Sequence, residues 1–201
     1  MMFLPLSEKI DNELLVSNYE KIRDDYLNFL SEDKKYFFDY QHSWDLKFGL
    51  NSNAPENTGY FWQICPLIYG RHSIPTIFWH KEVEECFTTQ LILSFKVKPI
   101  LAIFSMLEPQ SVVDPHTDHD HDLLVGFGYT NKKSKETIVK YHLTLDVPDD
   151  GQSILTVADE SRVLKNGELN PFDESSKHSV NNLGSKRRGA LIMSFPRSEI
   201  Y

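Results

Sequence analysis

Residues 137–147 read TIVKYHLTLDV, and the alternation within this stretch decides the fold class. Because successive side chains of a β-strand point to opposite faces, a two-residue period predicts a strand. One face is apolar and carries Val139, Tyr141, Leu143, Leu145 and Val147. The opposite face is polar and carries Lys140, His142, Thr144 and Asp146. The stretch therefore predicts a strand with one apolar and one polar face.

Three further stretches, residues 97–107, 153–158 and 187–195, also have the pattern of strands. The first is apolar on both faces, whereas the last places Arg188 on its polar side. Several short strands separated by turns are typical of a β-sandwich or a barrel. The second half of the chain is therefore expected to form a compact β-structure.

Turn residues separate these predicted strands. Pro148-Asp149-Asp150-Gly151 has the composition of a tight turn and closes the strand that ends at residue 147. Asn166-Gly167 is a strong hairpin signal, and it predicts a hairpin between residues 162–164 and the segment that follows.

The first half of the chain is expected to be helical. Apolar side chains at steps of three and four residues predict an amphipathic helix over residues 12–30, and a second helix is expected over residues 80–93. We therefore predict a single domain over residues 1–201 that is mainly β with flanking helices. Its helix-rich part, residues 1–95, would pack on a core formed by residues 96–201.

Composition and charge exclude several classes of protein. The 201-residue chain has a formal net charge of −8, so its overall charge does not favour binding to nucleic acid or to an anionic membrane. It has no run of 18 apolar residues, and its short N-terminal apolar run lacks the basic lead of a signal peptide. Cys65 and Cys86 lack zinc-knuckle spacing, and we expect both to be reduced in a cytoplasmic protein.

His116 and Asp118 form an H-x-D pair that can bind a metal ion. Side chains two residues apart on an extended segment share a face, so both can reach one ion. His178, much later in the chain, would complete a set of two histidines and one carboxylate with open coordination positions, as in non-haem iron(II) oxygenases. Taken alone, an H-x-D pair is more often part of a solvated loop, so that alternative stays open.

Arg188 lies ten residues beyond His178, on the polar side of the last predicted strand. An arginine held on a strand near a metal site suits bidentate binding of a carboxylate, such as that of a dicarboxylate co-substrate. The alternative is an ordinary surface salt bridge. Arg187 is the better candidate for that role, because the alternation points it to the other face.

Four ordered blocks within residues 96–195 resemble the aspartyl/asparaginyl β-hydroxylase family. The blocks are FSMLEP (104–109) with PHTD (115–118), then YHLTLDVP (141–148), then Gly167 with FDES and HSVNN (172–182), and finally Arg188. Residues 60–66 form a weaker upstream match. Four blocks in the right order are far more specific than any one of them.

The resemblance implies a double-stranded β-helix, the cupin-type jelly roll, and an oxygenase that uses Fe(II), 2-oxoglutarate and dioxygen. His116 and His178 would be iron ligands, and Arg188 would bind the distal carboxylate of 2-oxoglutarate. Ser105 and His142 would help to hold the co-substrate, although each can also be a satisfied polar group of the interior. Lys140 lies where the animal enzymes have a further arginine, so the resemblance implies a weaker, single-point contact of Lys140 with the co-substrate.

Two departures from the family bear on the substrate. Asp118 completes a full triad, as in bacterial members and related free-amino-acid hydroxylases, whereas the animal peptide hydroxylases lack this carboxylate. We therefore expect a free amino acid or an amino-acid-like small molecule as the substrate. A peptide containing Asp or Asn is the alternative, and a non-oxygenase metal-binding cupin is the second alternative.

The second departure is an insertion at about residues 121–135, between His116 and His142, which are 26 residues apart. We expect either a lid over the pocket or a surface loop there. His119 and His121 would tune the local field or be solvated, since further ligands would close the open positions. Residues 49–59 are also expected to form a loop.

Overall fold

The computed structural model describes residues 3–32, 35–39, 61–70, 72–73, 80–118 and 137–201. Over these residues the chain is mostly β, and two antiparallel sheets face each other in a jelly roll. The larger sheet contains, in spatial order, β1 (Phe38–Asp39), β2 (Trp62–Tyr69), β4 (Leu101–Leu107), β11 (Arg188–Pro196), β6 (Ile138–Asp146) and β9 (Leu169–Asp173), with β3 (His72–Ser73) paired to β2. The smaller sheet contains β5 (Ser111–His116), β10 (His178–Asn182), β7 (Ser153–Val157) and β8 (Glu160–Val163). The predicted fold class is confirmed.

Strand β6 is the strand predicted from residues 137–147, and it lies between β11 and β9. Its apolar face packs in the main hydrophobic core, together with side chains from the helices. Its polar face turns toward the smaller sheet, where Lys140 and His142 line a cavity between the sheets. The alternation in the sequence thus separates a packing face from a site face.

The helices of the first half pack on the outer face of the larger sheet. Ile22, Tyr26 and Phe29 are buried against this sheet, and the Tyr26 ring meets the Phe104 ring edge-on at a centroid distance of 5.8 Å. Gly189 allows this close approach, because a Cβ at that position would lie 2.4 Å from the Tyr26 ring. The helical layer and the sheet therefore share one core.

Both predicted helices are interrupted. The first consists of α1 (Asn12–Ser17) and α2 (Tyr19–Ser31), because Asn18 leaves the helical conformation and its side-chain amide donates to the Leu14 carbonyl at 2.9 Å. The second consists of α3 (Lys81–Glu85) and α4 (Phe87–Leu93). Cys86 has an extended backbone between them, and its sulfur accepts a hydrogen bond from the Thr89 N–H in the first turn of α4. A short helix α5 (Arg197–Ile200) follows β11.

The prediction of a hairpin at Asn166-Gly167 is wrong in its pairing. The turn is present, and Gly167 has a φ of +80° that glycine adopts without strain. However, β8 before the turn pairs with β7 in the smaller sheet, whereas β9 after it pairs with β6 in the larger sheet. The turn therefore carries the chain from one sheet to the other.

Strand β2 was not predicted, because Pro66 interrupts its apolar run and a central proline removes a ladder hydrogen bond. The structure accommodates Pro66 next to a register shift between Pro66 and Ile68. The predicted loop at residues 49–59 and the insertion at residues 121–135 lie outside the described residues. The division into residues 1–95 and 96–201 stays a prediction. Among the described residues, no helix is both long and apolar enough to cross a membrane.

Candidate metal centre and carboxylate pocket

A cavity of about 50 Å³ lies between the inner faces of the two sheets. All the residues that sequence analysis selected line it: His116, Asp118, His178, Arg188, Ser105, His142 and Lys140. The structure therefore brings together side chains that are up to 83 positions apart (Ser105 to Arg188).

The two strands at one end of the smaller sheet position the candidate metal ligands. β5 ends at His116 and β10 begins at His178, and these two residues are paired across the strands. Asp118 lies two residues beyond the end of β5, so it belongs to the following segment rather than to the strand itself. The candidate donor atoms of the three side chains all lie within 4.8 Å of one another.

The carboxylate of Asp118 lies between the two imidazoles. Its Oδ2 is 3.1 Å from Nε2 of His178, and its Oδ1 is 3.5 Å from Nε2 of His116. The two imidazole rings are 4.4 Å apart between centroids. Three donors this close can bind one ion on one side and leave the opposite side open.

Backbone carbonyls orient both histidines. Nδ1 of His116 is 2.7 Å from the carbonyl oxygen of Asp114, and Nδ1 of His178 is 3.0 Å from that of Ser176. A carbonyl can only accept, so Nδ1 of each ring carries a proton and Nε2 is the ring atom that faces Asp118. Among the described residues, the buried Nε2 of His116 has no hydrogen-bond partner. This unsatisfied ring nitrogen fits a divalent cation.

Asp118 is ionised and already faces a positive charge. Lys140 donates a hydrogen bond from its ammonium group to Oδ2 of Asp118, and the two side chains are 10% and 8% exposed. Burial alone would raise the pKa of Asp118, but the charge of Lys140 and the adjacent His178 together hold that pKa well below its ordinary value. The carboxylate is therefore available as a ligand at neutral pH.

Arg188 and His142 form the basic part of the cavity. The Arg188 guanidinium contacts Nε2 of His142, and within the described part of the chain its own Nε has no hydrogen-bond partner. Burial lowers the pKa of Arg188 to about 10, and burial together with the charge of Arg188 holds the pKa of His142 well below its ordinary value. A cationic arginine beside a neutral histidine, both buried, is suited to an anionic ligand group.

The Arg187 side chain lies at the surface and not in the cavity, as the alternation predicts. It is 48% exposed and pairs with Glu108 at 2.9 Å. The neighbouring arginines thus separate into a surface salt bridge and a buried cation.

Ser105 has a partner that sequence analysis missed. Its hydroxyl oxygen accepts a hydrogen bond from the indole Nε1 of Trp62 at 2.9 Å, which leaves the hydroxyl proton free to face the cavity. The Trp62 ring also lies 6.0 Å from the His116 ring between centroids. Trp62 belongs to the weakly matching residues 60–66, and that match is the one signal in the sequence from which Trp62 could have been identified.

The rest of the wall is apolar: Leu101, Ile103, Leu107, Val113, Leu155, Phe172, Val180 and Ile192. Apolar walls exclude water and strengthen the electrostatic interactions of the few charged groups inside. The cavity can therefore hold a metal ion at the histidines and a carboxylate at Arg188. His119, His121 and the insertion at residues 121–135 lie outside the described residues.

Comparison with curated proteins finds no match. Among solved structures, the plu4264 protein of Photorhabdus luminescens is 12% identical, with a TM-score of 0.35, over 50% of this chain and 65% of its own. The chain thus spans slightly less than two thirds of that protein. A Cupin_2 domain of an XRE-family transcriptional regulator from Enterobacter cloacae is 13% identical, with a TM-score of 0.34, over 47% of this chain and 79% of its own. A predicted oxalate decarboxylase from Thermotoga maritima is 16% identical, with a TM-score of 0.35, over 67% of this chain and 80% of its own.

The family comparison covers nearly the whole chain. The family model described as aspartyl/asparaginyl beta-hydroxylase matches residues 16–198. This range includes helices α2, α3 and α4, both sheets and every residue of the cavity discussed above. The chain therefore belongs to the aspartyl/asparaginyl β-hydroxylase family.

Proposed function

We propose that the protein is an Fe(II)- and 2-oxoglutarate-dependent dioxygenase that hydroxylates a free amino acid or an amino-acid-like small molecule. One observation carries this proposal: the donor atoms of His116, Asp118 and His178 converge in a cavity that also holds the buried cation Arg188. Membership of a hydroxylase family supports an oxygenase in general. Cytoplasmic location remains a prediction from composition.

His116, Asp118 and His178 would hold the iron. Their two nitrogens and one oxygen are a donor set that leaves room for further ligands, and the carbonyls of Asp114 and Ser176 fix both rings in the ligating tautomer. When bound, the Fe(II) supplies the activation of dioxygen that couples decarboxylation of 2-oxoglutarate to hydroxylation. The protein itself supplies the orientation of the reactants and a dry cavity.

Arg188 would bind the distal carboxylate of 2-oxoglutarate. Its Nε is a buried donor that has no partner among the described residues, so an arriving carboxylate would satisfy it. His142 stays neutral beside it and adds no competing charge. Ser105, held by Trp62, offers a hydroxyl proton from the neighbouring strand.

A small substrate is favoured by the cavity and by Asp118. Most of the cavity wall is apolar, with a few converging polar groups, which is the composition of a small-molecule site. The full triad is the feature that resembles the free-amino-acid hydroxylases. Succinate release, measured over a panel of free amino acids and of short peptides containing Asp or Asn, tests this choice. If only the peptides are turned over, the substrate is a peptide and the proposal of a small-molecule substrate is wrong.

The first test of the oxygenase is spectroscopic. Without oxygen, Fe(II) and 2-oxoglutarate together should give the wild-type protein a weak visible charge-transfer band, and His178→Ala should lack it. The loss is expected because the variant keeps only two of the three ligands. If the folded wild-type protein shows no band, the proposed oxygenase is wrong, and a metal-binding cupin without oxygenase activity becomes the better hypothesis.

The second test compares the two neighbouring arginines. Arg188→Met should weaken binding of 2-oxoglutarate roughly 100-fold, because a charge-assisted hydrogen bond contributes up to about 3 kcal/mol. Its affinity for Fe(II) should change little. Arg187→Met removes a surface cation that pairs with Glu108 and serves as the matched control. Calorimetry without oxygen measures both constants, and equal losses of iron and co-substrate affinity in Arg188→Met would indicate a structural role instead.

A further inference from the structure

Lys140 has an unusual place for a lysine. It lies in the middle of β6, on the inner face between β11 and β9, and only 8% of the residue is exposed. Lysine is almost never buried to this extent unless a partner compensates its charge. Its ammonium group contacts Oδ2 of Asp118, which is the carboxylate of the candidate metal site.

The carboxylate that Lys140 contacts is also one of the three candidate metal ligands. Oδ2 of Asp118 is 3.1 Å from Nε2 of His178, so an ion held by this set would lie next to the position of the Lys140 ammonium. Two cations so close together repel each other strongly in a poorly solvated cavity. Asp118 cannot fully neutralise both of them.

We propose that Lys140 is a counter-cation of the metal site, which pairs with Asp118 before metal arrives and must be displaced when metal binds. This inference rests on the proposed function, because it takes His116, Asp118 and His178 as the metal ligands. Lys140 is thus a positioning residue: its ammonium group holds the buried Asp118 carboxylate in place. The consequence is a lower affinity for metal than the same three ligands would have beside a neutral side chain.

Two measurable effects follow from replacing Lys140 by methionine, which has a similar length and no charge. The metal-free protein should melt at a lower temperature, because Asp118 would remain buried without its cation. The affinity for metal should rise by about tenfold or more, because unit charges a few ångströms apart still repel at an effective dielectric constant of about 20. A lysine with a merely structural role would lower the melting temperature without raising the affinity for metal.

The experiment titrates the metal-free protein with Co²⁺ alone and follows the visible absorption of the bound ion. Lys140→Met should bind Co²⁺ at least tenfold more tightly than the wild type, whereas Lys140→Arg, which retains the charge, should not. Lys165→Met is the matched control, because Lys165 is 73% exposed in a surface pair with Glu168 and should leave both readouts unchanged. If Lys140→Met does not fold, Lys140→Gln replaces it.

The outcomes separate this inference from the proposed function. Unchanged or weaker Co²⁺ binding by folded Lys140→Met and Lys140→Gln, with normal binding by the wild type, would overturn the role of Lys140 and leave the metal site intact. If neither the wild type nor any variant binds Co²⁺, and His178→Ala behaves like the wild type, the metal site itself is overturned together with this inference.

Discussion

The two faces of strand β6 are equally buried but differ in how their side chains are satisfied. On the outer face, Tyr141, Leu143 and Leu145 are fully buried in the main core, next to the helices. On the inner face, His142 and Thr144 are 2% and 0% exposed, yet Nδ1 of His142 and Oγ1 of Thr144 have no hydrogen-bond partner among the residues that the structure describes. The buried side chains of the outer face are mostly apolar and need no hydrogen-bond partner, whereas two buried polar atoms of the inner face lack one among the described residues.

The difference shows where stability and function reside in this fold. Burial of apolar area stabilises the folded state, whereas burial of a polar group without a partner destabilises it. The inner face therefore reduces stability and retains polar groups that can bind a ligand. Departures from local consistency of this kind are expected at functional sites.

The largest effect is expected on the outer face. Leu143→Ala should lower the free energy of unfolding by about 3 kcal/mol, because it removes a fully buried side chain from a packed core. Urea denaturation measures this loss. Val163→Ala, at a position that is 48% exposed, is the control and should change stability very little. A loss below about 1 kcal/mol in Leu143→Ala would mean that the outer face does not provide the stability assigned to it.

A smaller, pH-dependent effect is expected at His142. Its pKa in the folded state lies well below 6.5, because of burial first and the charge of Arg188 second. Below pH 6.5 the unfolded chain takes up a proton at this residue while the folded protein does not, so stability falls as the pH falls. From pH 7 to pH 5.5 the wild type should therefore lose about 1 kcal/mol more than His142→Gln.

The measurement compares urea denaturation of the two proteins, free of metal, at both pH values. The other histidines contribute equally to wild type and variant, so the difference between them isolates His142. An identical pH dependence in both would mean that His142 is not held neutral, and the inner face would then lack its buried basic pair.

The parts of the fold that sequence predicts are those with a clear local period. Residues 137–147 alternate without interruption, and β6 (Ile138–Asp146) forms there with the predicted faces as far as Leu145. At Asp146 the register shifts, and this carboxylate pairs with Arg23 of the outer helix α2 instead of facing the cavity. Strand β2 escapes prediction because Pro66 breaks the pattern, and only the register shift beside it shows how a proline is accommodated. Cys86 interrupts a helix through its sulfur cap, and the helical period contains no sign of that interruption.

Within the site, too, some features can be predicted from the sequence and others cannot. His116, Asp118, His178 and Arg188 can be selected because their residue types and order match known chemistry, although their roles as ligands stay predictions. The contact of Lys140 with Asp118 joins residues that are 22 positions apart, and it depends on how the segment after β5 lies across the cavity. No local pattern contains that information.

The smallest effect tests the unsatisfied face most directly. Thr144→Val replaces a buried hydroxyl that has no partner by a methyl group of similar size, so the free energy of unfolding should stay the same or rise by up to about 1 kcal/mol. Thr88→Val is the matched control, because the equally buried Thr88 donates from Oγ1 to Asp25 at 2.7 Å and its loss should cost roughly 2 kcal/mol. Urea denaturation of both variants gives the comparison. If Thr144→Val is destabilised as much as Thr88→Val, bound water satisfies the Thr144 hydroxyl. The two faces of β6 would then differ in polarity, but the inner face would not hold an unpaired hydroxyl.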